Sequence, residues 1–105
     1  MRSVPKPITY RSERYLNYIR RLPCLVRSCT EEAQPHHAGG ILSGRGVGQK
    51  GSDYRCLPLC WTHHGELHAI GVESFSRRYG VDIHESIIFC LEGYVDALEA
   101  QGETP

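Results

Sequence analysis

The 105-residue chain lacks any apolar run approaching the ~20 residues of a membrane helix, so no membrane partner is expected. Its start, MRSVPKPITYRSER, is basic but has no apolar stretch behind it. We therefore expect no secretory signal and a cytoplasmic protein. There is no Cys-x2-Cys, which argues against a thioredoxin-like redox protein. Cysteines number five, an odd count that argues against a disulfide framework. The GRGVG segment has no hydrophobic strand before it and no Lys-Ser/Thr at the Walker position after it, so it is not a nucleotide-binding loop.

Net charge is also missing, since 12 Lys+Arg balance 12 Asp+Glu. The zero is a cancellation between halves. Residues 1–55 hold ten basic and four acidic groups, net +6, and residues 56–105 hold two basic and eight acidic, net −6. Such asymmetry points to a polar partner for one face, or to two solvated surfaces of opposite sign.

What is abundant is histidine, six in all, five of them between His36 and His68. The length suits one domain over 1–105, and one of this size is only marginally stabilised by burial. A bound metal would help it fold. We expect an arm and helix over 1–22, a central metal-rich segment over 23–70 and helices over 71–105. Tyr15, Leu16, Ile19 and Leu22 recur at helical spacing from Ser12 until Pro23 stops the run. Residues 39–51 hold six glycines in thirteen positions and read as a mobile loop. Residues 53–59 read as an alternating strand, held to an edge by Pro58. A helix from Trp61 to about Ala69, a short one from Val72 to Tyr79 and a third after the Asp82/Glu85 capping pair complete an α+β chain. Cys90 reads as a buried free thiol and Cys56 as a packed strand residue. Arg77 and Arg78 read as a solvated face.

Two ligand pairs stand out. Cys24-x4-Cys29 and Cys60-x2-His63 offer the four N/S donors of a tetrahedral structural zinc. The competing reading is two buried thiols and an unrelated surface histidine; Cys56-x3-Cys60 makes a poorer pair. His64-Gly-Glu-Leu-His68 places two imidazoles at i and i+4, on one helical face and within reach of one ion. It is not a zincin motif, because Gly65 holds the place of the required glutamate. His36 and His37 are adjacent on an extended segment, whose side chains alternate between faces, so one can ligate while the other acts as a base.

The order of these groups resembles the HNH endonuclease family, whose module is a β-hairpin plus helix clasping one metal, the ββα-metal fold. The resemblance rests on His36-His37, on Leu59-Cys60-Trp61-Thr62-His63-His64 and on His68, and covers about residues 22–70. It is strongest to small phage-type members with a zinc knuckle, such as the phage RecA-dependent nucleases. The His64-x3-His68 ending is also similar to the nuclease colicins. The resemblance implies that His37 is the general base, that His36, His64 and His68 hold the catalytic ion, and that Cys24, Cys29, Cys60 and His63 hold a structural Zn2+. Arg55 stands where the family carries its middle Asn, and Asp53 is the nearest polar group to replace it.

The expected activity is therefore metal-dependent hydrolysis of DNA phosphodiesters. A neutral imidazole can take the proton of the attacking water, and a divalent ion (Mg2+, Mn2+, Ni2+ or Zn2+) can stabilise the phosphorane and the leaving oxygen. Arg45, Lys50 and Arg55 beside the glycine loop, with Arg20, Arg21 and Arg27 ahead of the metal region, would contact phosphates. The loop would serve as a flap over the backbone. A recombinase filament as partner follows from the phage resemblance alone. The alternative is a non-catalytic, zinc-stabilised DNA- or protein-binding module. Oligomeric state stays open. The charge split predicts a basic face around the metal cleft and an acidic back.

Overall fold

Ser12 begins the first helix as the sequence predicts: its hydroxyl accepts from the Tyr15 amide at 3.1 Å. The computed structural model describes residues 10–38 and 51–103. Most of the glycine loop, with Arg45 and Lys50, lies outside the described residues, as does the arm over 1–9. The described chain is a small α+β domain of three helices and one two-stranded sheet. Helix α1 is Glu13–Arg20, strand β1 is Gln34–His37, β2 is Cys56–Leu59, α2 is Trp61–Tyr79 and α3 is Ile83–Ala100. No described helix is long and apolar enough to cross a membrane.

The strands pair antiparallel, with His36 opposite Leu57 and His37 opposite Cys56. The strand expected over 53–59 is shorter than that. Ser52 holds Asp53–Arg55 in a 3-10 turn, its hydroxyl accepting from Tyr54 and its carbonyl from Arg55. The expected alternation is absent because Cys56, Leu57, Pro58 and Leu59 are all buried. Each face of the sheet is covered. Cys56, on the face it shares with His37, packs with Tyr15, Ile19, Cys90, Tyr94 and Leu98 of α1 and α3. On the other face, Leu57 meets Ile83 and Ile87, and Leu59 meets Leu67 and Phe75. Two covered faces remove the need for polar alternation.

Helix α2 kinks at Gly71, whose φ of 85° and ψ of 166° would strain any other residue. The kink separates the two helical segments read from the sequence. It lets the second segment return Phe75 to the core, and Gly80 ends it in the left-handed conformation at φ 65°. Asp82 then caps α3 by accepting from the Glu85 amide at 3.0 Å.

Candidate metal centres

The first cluster is built on two turns. Between Cys24 and Cys29 the chain reverses through Ser28, which sits at φ 68°, and the Cys29 amide donates to the Val26 carbonyl at 3.0 Å. The reversal returns Cys29 towards Cys24. Cys60 is the N-cap of α2, and its sulfur accepts from the His63 amide at 3.4 Å. The side chain of His63, one turn in, comes back over the same point.

Donor atoms of Cys24, Cys29, Cys60 and His63 all lie within 4.8 Å of one another. Sγ of Cys29 and Sγ of Cys60 are 3.8 Å apart, and Sγ of Cys24 is 3.5 Å from His63 Nδ1. Tetrahedral zinc with bonds of ~2.3 Å to sulfur and ~2.05 Å to nitrogen has edges of ~3.8 and ~3.5 Å. Nδ1 of His63 also lies 3.1 Å from the Cys60 sulfur. One imidazole nitrogen offers a single in-plane lone pair or proton, so it cannot hydrogen-bond both thiols. A shared ion resolves the crowding, and the four residues can hold a metal such as zinc. Burial pushes the Cys24 thiol up to about 11. Burial also raises Cys60, but the His63 amide, the Cys29 and Cys24 thiols and the Thr62 amide outweigh it and bring Cys60 below its ordinary value. Cys60, at a helix N-terminus, thus gives up its proton more readily than an ordinary thiol.

The second cluster joins β1 to the same helix. His36 Nδ1 lies 2.8 Å from His64 Nε2, and His68 Nε2 lies 3.1 Å from that same atom. The single-lone-pair argument applies again: both contacts cannot be hydrogen bonds. Adjacent ligands at right angles around an ion, with bonds of ~2.1 Å, are ~3 Å apart. Burial first, then the neighbouring His64, His68 and His37, pushes His36 down to about 3. Burial and His68 also lower His64. Both rings are therefore held neutral at pH 7, the form that ligates.

His37 points to the other face of β1, as strand geometry requires. Its Nε2 is 2.7 Å from Asp53 Oδ1. Oδ2 of Asp53 accepts from the Ser12 amide at 2.7 Å, and Arg11 Nη1 lies 3.5 Å from Oδ1. Burial raises the Asp53 carboxyl, but the His37 hydrogen bond, the Ser12 amide and Arg11 outweigh it and hold it below the usual range. The carboxylate is an acceptor only, so a neutral His37 carries its proton on Nε2 and presents a bare Nδ1.

The basic residues divide. Arg20 is held on its own helix by Glu13 Oε1 at 2.9 Å and Asn17 Oδ1 at 2.6 Å. Arg21, Arg27 and Arg55 are exposed, with no ion pair among the described residues. Arg77 and Arg78 are exposed and face Glu73 and Glu66. The sequence reading missed Arg11, which braces Asp53 while also donating to the Gly51 carbonyl at 2.8 Å. Nothing in its sequence context distinguishes it from the other arginines.

A family model matches residues 1–92, and its description is "Protein of unknown function (DUF968)". The chain belongs to that family. It is 36% identical over 77 residues to "Uncharacterized protein YdfU" of Escherichia coli (strain K12), an alignment covering 73% of this chain and 21% of that protein. The chain thus spans about a fifth of the length of this curated relative. No solved structure matches the chain.

Proposed function

We propose that the protein is a metal-dependent DNA endonuclease of the HNH type, with a ββα-metal core formed by β1, β2 and the first segment of α2. The observation that carries the reading is the convergence of His36, His64 and His68, with His37 the next residue along β1 and its tautomer fixed by a buried carboxylate. His36, His64 and His68 would hold a divalent ion within reach of a phosphate oxygen and water. The ion would supply charge stabilisation to the phosphorane and the leaving oxygen.

His37 acts as the general base. Its Nδ1 takes the proton of the attacking water, and Asp53 stabilises the imidazolium that forms. Its side chain is 20% exposed, enough to meet water and enough burial to keep its orientation. Asp53 takes the orienting role that the middle Asn has in the family, and Arg55 at the Asn position is free to contact phosphate. Cys24, Cys29, Cys60 and His63 hold zinc and fix the start of α2, so the zinc sets where His64 and His68 stand.

The test is cleavage of supercoiled plasmid by zinc-loaded protein across Mg2+, Mn2+, Ni2+ and Zn2+, with His37→Ala alongside. The proposal expects metal-dependent cleavage that His37→Ala lowers by about 10²–10⁴-fold without loss of bound zinc. Equal cleavage by both proteins removes His37 as the base. Absence of cleavage with every metal favours the non-catalytic binding module.

A further inference from the structure

Trp61, the only tryptophan of the chain, is 84% exposed although it follows a buried zinc-site cysteine. It is the first residue of α2, so the indole projects from a backbone anchored by Cys60. Trp61, His64, Gly65 and His68 occupy positions i, i+3, i+4 and i+7 of one helical face. Together they line an open cavity of about 220 Å³. Among the described residues no carboxylate lines it. A Cβ added at Gly65 would meet nothing among the described residues within 4 Å, so they leave the floor of the cavity open. The cavity therefore joins an aromatic surface directly to two of the three histidines that can hold an ion.

We propose that this cavity binds an unpaired nucleobase of single-stranded DNA, stacked on Trp61, with its phosphate at the histidine ion site. This rests on the endonuclease reading and adds the substrate class. A ligand that fills such a cavity carries a planar face for the indole and an anion for the cation beside it, and a nucleotide joins the two. A base within a duplex has both faces covered by its neighbours. It can reach the indole only by leaving the stack, which costs a few kcal/mol. The platform therefore selects single strands, gaps and frayed ends over intact duplex.

The single tryptophan makes the test direct. Zinc-loaded protein carrying His37→Ala, with the integrity of the DNA checked on a gel after each titration, is titrated with short oligo(dT) and with a duplex hairpin in Mg2+. Binding is read both by indole emission and by anisotropy of labelled DNA. Oligo(dT) should quench the emission saturably and bind more tightly than the hairpin. Adding Trp61→Ala should weaken oligo(dT) binding about 5- to 150-fold, the range for losing one base–aromatic stack. Trp61→Phe should restore most of it. Gly65→Leu, which the open floor accommodates and which favours the helix, should fill the cavity and weaken binding without lowering the melting temperature. Unquenched emission, or a Trp61→Ala affinity within about twofold of the parent, overturns the platform. So does an equal loss on the hairpin, which would assign Trp61 to duplex contact. Because the assay reads binding to intact DNA, its result is independent of plasmid cleavage by the native chain, whose absence would refute the nuclease reading alone.

Discussion

Asp53→Asn is the substitution whose consequences the geometry defines most sharply. Both oxygens of Asp53 accept, one from the Ser12 amide and one from His37 Nε2, each at 2.7 Å. The side chain is only 5% exposed. An amide of the same shape has one oxygen and one NH2. If its oxygen keeps the Ser12 amide, its NH2 faces His37, and the ring must move its proton to Nδ1 to accept. If its oxygen keeps His37, its NH2 opposes the Ser12 amide and a buried donor goes unsatisfied. The first arrangement exchanges two charge-assisted bonds for neutral ones, and the second strands a donor. Either costs about 1–3 kcal/mol. In a domain of this size that lowers the melting temperature by roughly 5–20 °C. The first arrangement also removes the bare Nδ1 that the proposed base needs. Thermal unfolding of zinc-loaded protein at pH 7, with kcat and KM for plasmid cleavage, separates the two effects. We expect kcat to fall at least about 10²-fold with KM little changed. In the His37→Ala background the same substitution should cost less stability, because half of its contacts are already gone. A variant within ~0.5 kcal/mol of the parent and equally active would refute the reasoning.

Three further outcomes follow from the same contacts. Cys29→Ser should lose bound zinc, measured per chain by elemental analysis, and a chelator should lower the melting temperature of the parent far more than that of the variant. Ser28→Gly should relieve the left-handed strain at φ 68° and, after the added freedom of the unfolded chain, stabilise by about 0.5–1 kcal/mol in denaturant unfolding. His36 gives a pH dependence: its folded pKa is depressed to about 3 from an ordinary 6.5, so the unfolded chain binds the extra proton. Without an ion at the histidine cluster, stability should fall as pH drops from about 6.5 towards 3, by about 1.4 kcal/mol per unit from this ring. Subtracting the pH series of His36→Phe isolates that slope, and identical series for the two proteins would remove the buried neutral ring.

Much of this arrangement is legible in the sequence, because it depends on local spacing. Ser12 before Tyr15 and Ile19, Asp82 before Glu85, and Gly71 and Gly80 within the helical run set the helices and their breaks. The ligand pairs are equally local, since Cys-x4-Cys and His-x3-His need only one turn each to bring two donors together. The extent of β2 was not legible. Its burial on both faces depends on α1 and α3 closing over one side of the sheet while α2 and the first turns of α3 close over the other, a long-range outcome that leaves no period in CLPL. The side-chain bonds that hold Asp53–Arg55 in a turn also compete with strand at a distance that alternation does not report. Asp53 could be named as a polar neighbour of the site, but not its bond to His37, which spans 16 residues. Trp61 lay inside the recognised Cys-x2-His segment, yet an exposed indole and a buried one look alike in sequence.

The central claim is that His36, His64 and His68 hold a second ion that serves His37. The most direct measurement titrates zinc-loaded protein with Mn2+ and follows bound manganese and plasmid cleavage in the same samples. The account predicts one manganese per chain in addition to zinc, cleavage that rises in step with its occupancy, and loss of both in His64→Ala with zinc retained. Cleavage that saturates with no manganese bound, or unchanged manganese binding in His64→Ala, would contradict it.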